Sequence, residues 1–132
     1  MTIEVLTTLI MAHAAPGAVP TQELAAAIVQ ESARQGVDAR LVAQILLQES
    51  RGKANAYNKA SKDHGIMQIN EKTAKAANIS QECLKNWRCN LRQGVRIIAK
   101  AHRPCAFNLG NTGAKKWTKS CIKYETKLAS FN

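Results

Sequence analysis

The chain has 132 residues and a formal net charge of +10, from 19 Lys and Arg against 9 Asp and Glu. That length fits one domain and leaves no room for a large multidomain enzyme. With 45% hydrophobic residues and interleaved charges, it has a core to bury and is not disordered in composition.

The charge is unevenly placed. Residues 1–50 hold 2 basic and 5 acidic side chains, whereas residues 51–132 hold 17 and 4. Such a balance implies an acidic partner: nucleic acid, an anionic membrane surface or a charged polysaccharide.

In chain order, residues 3–15 are apolar, and Ala12-His13-Ala14 has the small-x-small pattern of an export cleavage site. Glu4 stands where such a signal carries Lys or Arg, so an export signal and a plain N-terminal helix or tail both remain open. The stretch is too short to span a membrane. Pro16-Gly17-Ala18-Val19-Pro20 reads as a break, which makes 1–19 a tail or signal-like segment and 20–132 the globular domain.

Thr21 can cap a helix to about Gln35, stopped by Gly36. Asp38 caps a second helix, Ala39 to Ser50, closed by Gly52. Residues 53–65 are polar and turn-rich, a loop or small hairpin. Asn70 can cap a helix from Glu71 to about Asn78, and Ser80 a short one. Asn90 opens a helix from Leu91 to about Arg103, stopped by Pro104; after Gly110 and Gly113, a last helical stretch lies near 120–129. The fold class is mainly α, without repeats or low-complexity segments.

Cys83, Cys89, Cys105 and Cys121 include no Cys-x-x-Cys pair, so a metal site is not indicated. An even number in a small domain favours two disulfides and an oxidising compartment; four buried free thiols are the alternative. Of three possible connectivities, Cys83–Cys89 and Cys105–Cys121 close the shortest loops.

The second helix carries the chemistry. Leu41, Val42, Ile45 and Leu46 form one apolar face, and Glu49 falls on the same stripe in the last turn. Desolvation and the negative end of the helix dipole would both raise the pKa of such a carboxyl, suiting it to general-acid work. The plainer reading is a frayed, solvent-facing helix end.

Glu49-Ser50 is followed by Asp63-His64-Gly65-Ile66-Met67-Gln68-Ile69-Asn70. This pairing resembles the lysozyme-like superfamily, in particular the soluble lytic transglycosylases. These carry Glu-Ser at a helix end and then a Gly-(Leu/Ile)-Met-Gln-(Leu/Ile) block. The Asp63–Asn70 segment is also similar to the second-carboxylate segment of animal lysozymes and of conjugation- and secretion-associated transglycosylases. The resemblance covers about residues 24–100 and implies a lysozyme-like α+β domain with a small or absent β-hairpin beside the cleft.

By resemblance, Glu49 is the catalytic acid and Ser50 the serine that supports it. Gly65, Ile66, Met67, Gln68 and Asn70 correspond to the block lining the sugar cleft, and Asn90-Leu91-Arg92-Gln93-Gly94 to the start of the next core helix. Ala106-Phe107-Asn108-Leu109-Gly110 resembles the family's Ala-Tyr-Asn-x-Gly, giving Asn108 a substrate-binding role, and Tyr124 its late aromatic. His64 has no family role. Asp63 is open between catalytic partner and polar loop residue.

The resemblance implies cleavage of peptidoglycan glycan strands with no cofactor and no metal. A transglycosylase uses Glu49 as acid and then base, closing N-acetylmuramic acid to a 1,6-anhydro end. A lysozyme adds a second carboxylate, here Asp63, and water. A periplasmic or extracytoplasmic monomer is expected, serving a secretion, conjugation or phage entry or lysis apparatus. Two other readings compete. A helix-turn-helix over residues 24–50 would need Lys or Arg on its recognition helix, which offers Gln44, Gln48, Glu49 and Ser50 instead, so no nucleic-acid partner is expected. A catalytically dead wall-binding domain is opposed by the intact Glu49.

Overall fold

The structure, a computed structural model, describes residues 1–101, 104–109 and 119–132, the side chains of residues 108, 109 and 119 apart. It is mainly helical, with a small antiparallel sheet, the lysozyme-like α+β arrangement expected.

The N-terminal segment is helical. Thr2 accepts a hydrogen bond from the Val5 N–H at 3.2 Å and so caps α1 (Ile3–His13). Leu6, Leu9 and Ile10 of α1 are buried against α2 (Thr21–Gln35) and α3 (Ala39–Ser50). Pro20 takes the cap position of α2, and Thr21 is its first residue, a small shift from the expected start. Gly36, at φ 68°, ends that helix in the left-handed conformation. Asp38 caps α3 by accepting from the Arg40 N–H at 3.0 Å, and Val42, Ile45, Leu46 and Leu47 fill the core beneath it.

The turn-rich stretch folds as a hairpin and a third strand. Strands β1 (Tyr57–Asn58), β2 (Asp63–His64) and β3 (Ile69–Asn70) pair antiparallel in that order. The register makes two rungs, Asn58–Asp63–Asn70 and Tyr57–His64–Ile69. Successive residues of a strand project to opposite faces, so a polar amide–carboxylate rung backs onto an aromatic one.

Asn70 caps α4 (Glu71–Ala76) and Ser80 caps α5 (Gln81–Lys85), both as expected. The next helix, α6 (Trp87–Lys100), starts earlier than Asn90, because Asn86 is the cap and accepts from the Cys89 N–H at 3.0 Å. Asn90 lies inside the helix and is fully buried. A salt bridge joins α6 to α2: the buried Glu31 carboxylate takes Arg92 at 3.2 Å and Arg34 at 3.3 Å.

Pro104 opens a helix, α7 (Pro104–Leu109), at a position where its missing N–H costs nothing. The preceding helix, α6, ends at Lys100 with Ala101 as its cap, short of the expected Arg103, while Gly110 and Gly113 lie outside the described residues. The last helix, α8 (Lys119–Ala129), packs on both α7 and α3. Disulfides Cys83–Cys89 and Cys105–Cys121 tie α5 to α6 and α7 to α8.

Candidate active site

The end of α3 sets the site. Its last turn leaves carbonyl groups without helical partners; those of Leu47 and Ser50 accept from the Arg51 and Lys53 N–H groups, and the Ser50 hydroxyl folds back on the helix end. It donates to the Leu46 carbonyl at 3.3 Å and accepts from the Gly52 N–H at 3.1 Å, in a buried position. Glu49, next to it, is half-buried. The frayed, fully solvated helix end is therefore not what forms.

The side chain that meets Glu49 comes from 75 residues further along the chain. Tyr124 of α8, itself buried, donates its hydroxyl to Glu49 Oε2 at 2.9 Å. Burial, then the adjacent Glu49 charge and the hydrogen bond to it, push the Tyr124 phenol far above its ordinary range. It is therefore a protonated donor at neutral pH.

A chain of hydrogen bonds links this helix end to the Gly65–Asn70 block. The Lys53 N–H donates to the Ser50 carbonyl, and the Ala56 N–H to that of Lys53. The Ala56 carbonyl then accepts from the Gly65 N–H at 2.7 Å and from Gln68 Nε2 at 2.9 Å. Gln68 also donates to the Gly65 carbonyl at 3.0 Å, so its amide is spent on holding the loop.

Gly65 is required by space and by backbone. Its φ is +78°, and a Cβ there would sit 2.3 Å from Asn90 Nδ2 and 2.8 Å from the Leu84 carbonyl oxygen. Asn90 is the hub beneath the block. Its Oδ1 accepts from the Met67 N–H at 2.9 Å, and its Nδ2 donates to the His64 and Leu84 carbonyls at 2.9 and 3.0 Å. The side chains of Ile66 and Met67 are fully buried. They face the core, and Met67 packs down onto Gly94 of α6.

Asp63 and Asn70 lie on one rung. Asp63 accepts from Ser61 Oγ at 2.8 Å and from Asn70 Nδ2 at 3.1 Å, leaving its carboxylate fixed by the hairpin. Asn70 donates to the Ser61 carbonyl as well, while its Oδ1 caps α4. The side chain of Asn108 lies outside the described residues.

On the aromatic rung, Tyr57 is 52% exposed and tilts against His64 with ring centroids 4.7 Å apart. Both line a cavity of about 340 Å³ with Asn55, Leu84 and Lys85. Among the described residues, the cluster richest in metal-ligating atoms is Cys105, Cys121 and Glu125, and both its sulfurs are consumed by the disulfide. That leaves a single carboxylate, which is no metal site.

Sequence reasoning missed two features. Tyr124 as the partner of Glu49 had only a late aromatic to announce it. Asn90 was read as the start of a helix. An asparagine four residues before a glycine that supports a buried methionine was its available signal.

A helix-end glutamate backed by serine, a Gly-Ile-Met-Gln-Ile-Asn block on a small sheet, and a mainly helical core define a lysozyme-like glycan-cleaving domain. The profile of the transglycosylase SLT domain matches residues 26–128, and the chain belongs to that family. It is thus a member of the lytic transglycosylase family, whose substrate is peptidoglycan. No curated protein and no solved structure matches the chain.

Proposed function

We propose that the protein is a peptidoglycan lytic transglycosylase that cleaves the β-1,4 bond between N-acetylmuramic acid and N-acetylglucosamine. The observation that carries this reading is Glu49 at the end of α3, half-buried and bonded at 2.9 Å to Tyr124, in a chain of this family. Glu49 delivers its carboxyl proton to the glycosidic oxygen as positive charge builds at the muramic C1. The departing sugar takes that proton. The C6 hydroxyl of the muramic residue then bonds to C1, and its proton returns to Glu49. No water is consumed, and the product carries a 1,6-anhydro end.

Ser50 supports Glu49 in this reading by finishing the helix, while Gly65, Gln68 and Asn70 hold the segment against which the glycan lies. Asn108 is assigned to substrate binding by resemblance alone. The polymer places the working site outside the cytoplasm, periplasmic or otherwise extracytoplasmic, and the two disulfides agree with an oxidising compartment. Among the described residues no helix is long and apolar enough to cross a membrane. Service to a secretion, conjugation or phage apparatus, as a monomer, completes the proposal.

A second reading, hydrolysis with Asp63 as the supporting carboxylate, draws on the fixed, acceptor-only setting of that side chain. Mass analysis of released muropeptides separates the two. Anhydro ends are expected, and reducing ends would establish hydrolysis. Glu49→Gln is expected to release no muropeptides while keeping the wild-type fold; retained lysis would overturn the role of Glu49.

A further inference from the structure

The exit from α3 is conformationally demanding. Arg51 and Gly52 both have positive φ, 53° and 85°, directly after Glu49-Ser50. A left-handed non-glycine residue persists only where its surroundings over-determine it. The surroundings here are supplied by residues 14–19, which precede the part of the chain matched to the family.

Two backbone bonds hold the exit. The Ala15 N–H donates to the Arg51 carbonyl at 3.0 Å, and the Val19 N–H to the Gly52 carbonyl at 2.9 Å. A turn closed by the Ala18 N–H on the Ala15 carbonyl, at 3.2 Å, sets the spacing between these two donors. Ala18 covers Gly52 so closely that a Cβ at position 52 would lie 3.2 Å from its methyl. The segment is itself anchored. Leu6, Leu9 and Ile10 of α1 are buried, as is Val19, and His13 meets Phe131 edge-on with centroids 5.0 Å apart. The Phe131 carbonyl in turn accepts from Gln44 of α3 at 3.1 Å, just beyond the helix that carries Tyr124.

We infer that residues 14–19 form a latch that positions Glu49 against Tyr124, with Ala15 and Val19 as positioning residues acting through backbone N–H groups. The inference rests on the reading of Glu49 as the reacting acid. Removing one donor leaves the core intact but lets the helix end rotate, and a displacement of about 1 Å at a reacting group lowers turnover by about 100-fold.

Ala15→Pro tests this with little collateral change. It deletes the N–H, and Ala14, at φ −68° and ψ 145°, already has the conformation a following proline demands. Ala15→Ser keeps the donor and is the control. On soluble peptidoglycan strands, Ala15→Pro is expected to lower kcat about 10- to 100-fold with KM within about twofold, while Ala15→Ser matches wild type. Adding Arg51→Gly to Ala15→Pro should restore much of kcat, because glycine holds the left-handed exit without the latch. Amide exchange gives a readout independent of turnover: the Gly52 and Lys53 amides should exchange at least about tenfold faster in Ala15→Pro, with α6 unchanged. Unchanged exchange, or faster exchange with unchanged kcat, would overturn the latch. A wild-type protein that releases no muropeptides would instead overturn the reading of Glu49 and the positioning role with it.

Discussion

Glu49 and Tyr124 form a pair in which one member is always the donor. The phenol is driven up by burial and by the Glu49 charge, so the carboxylate form of Glu49 is stabilised by a bond it would lose in Tyr124→Phe. That substitution should lower kcat with the fold retained, and an unchanged kcat would separate Tyr124 from the reaction. The same shift has a stability consequence. A native phenol that resists ionisation loses its advantage as pH rises above about 10, where unfolded tyrosine releases its proton. Wild type should then lose stability above that pH more steeply than Tyr124→Phe, measured by denaturant midpoint. Asn90 is the other residue on which much depends. Asn90→Ala strands two buried backbone groups and a part-buried one, and a loss of about 3 kcal/mol is expected from chemical denaturation. The 3.6-residue period was enough to put Glu49 on the buried stripe. No local pattern can announce a hydroxyl arriving from another helix, so Tyr124 had only a family likeness to point to it.

The elements with their own start signals were the readable ones. Asp38, Asn70 and Ser80 each satisfy an N–H two or three residues on, and their helices begin where that chemistry says. Asn86 and Asn90 compete for one role, and the sequence does not rank them. Burial decides, because only a side chain folded inward can tie Met67, His64 and Leu84 together, and the free cap then falls to Asn86. Pro104, expected only to stop a helix, opens α7, where a missing N–H is no loss. The contact between α6 and the loop block gives an element-scale prediction. A Cβ on Gly94 would lie 2.6 Å from Met67 Cγ, so Gly94→Ala must push the block away from α6. The expected cost is about 1–3 kcal/mol in urea unfolding, together with reduced wall lysis. Met67→Ala in the same chain should recover part of the lysis, and no recovery would sink the packing argument.

At the scale of the molecule, one helix carries a row of cations. Arg88, Arg92, Arg96 and Lys100 recur every fourth residue along α6 and are all exposed. Glu23 and Glu31 of α2 offset Arg88 and Arg92 at 3.7 and 3.2 Å. A wall rich in carboxylates should hold such a face by screened attraction, which fades as the Debye length shrinks from about 8 Å at 0.15 M salt to about 3 Å at 1 M. Sedimentation of Glu49→Gln with insoluble wall should fall across that range, and Arg96→Glu with Lys100→Glu should weaken it at low salt. Salt-independent sedimentation would remove charge from the account. The 14–19 segment, finally, would make turnover sensitive to any trimming near the start of the chain. The small-x-small pattern ends at Ala14, one residue before the first donor. A chain cut there would offer Arg51 a newly made α-ammonium in place of an amide, with Val19 untouched. A cut one residue later would remove the first donor altogether. Either cut would also release α1, whose buried Leu6, Leu9 and Ile10 anchor the segment, so the latch reading expects slower turnover from a chain trimmed at either bond than from the intact one.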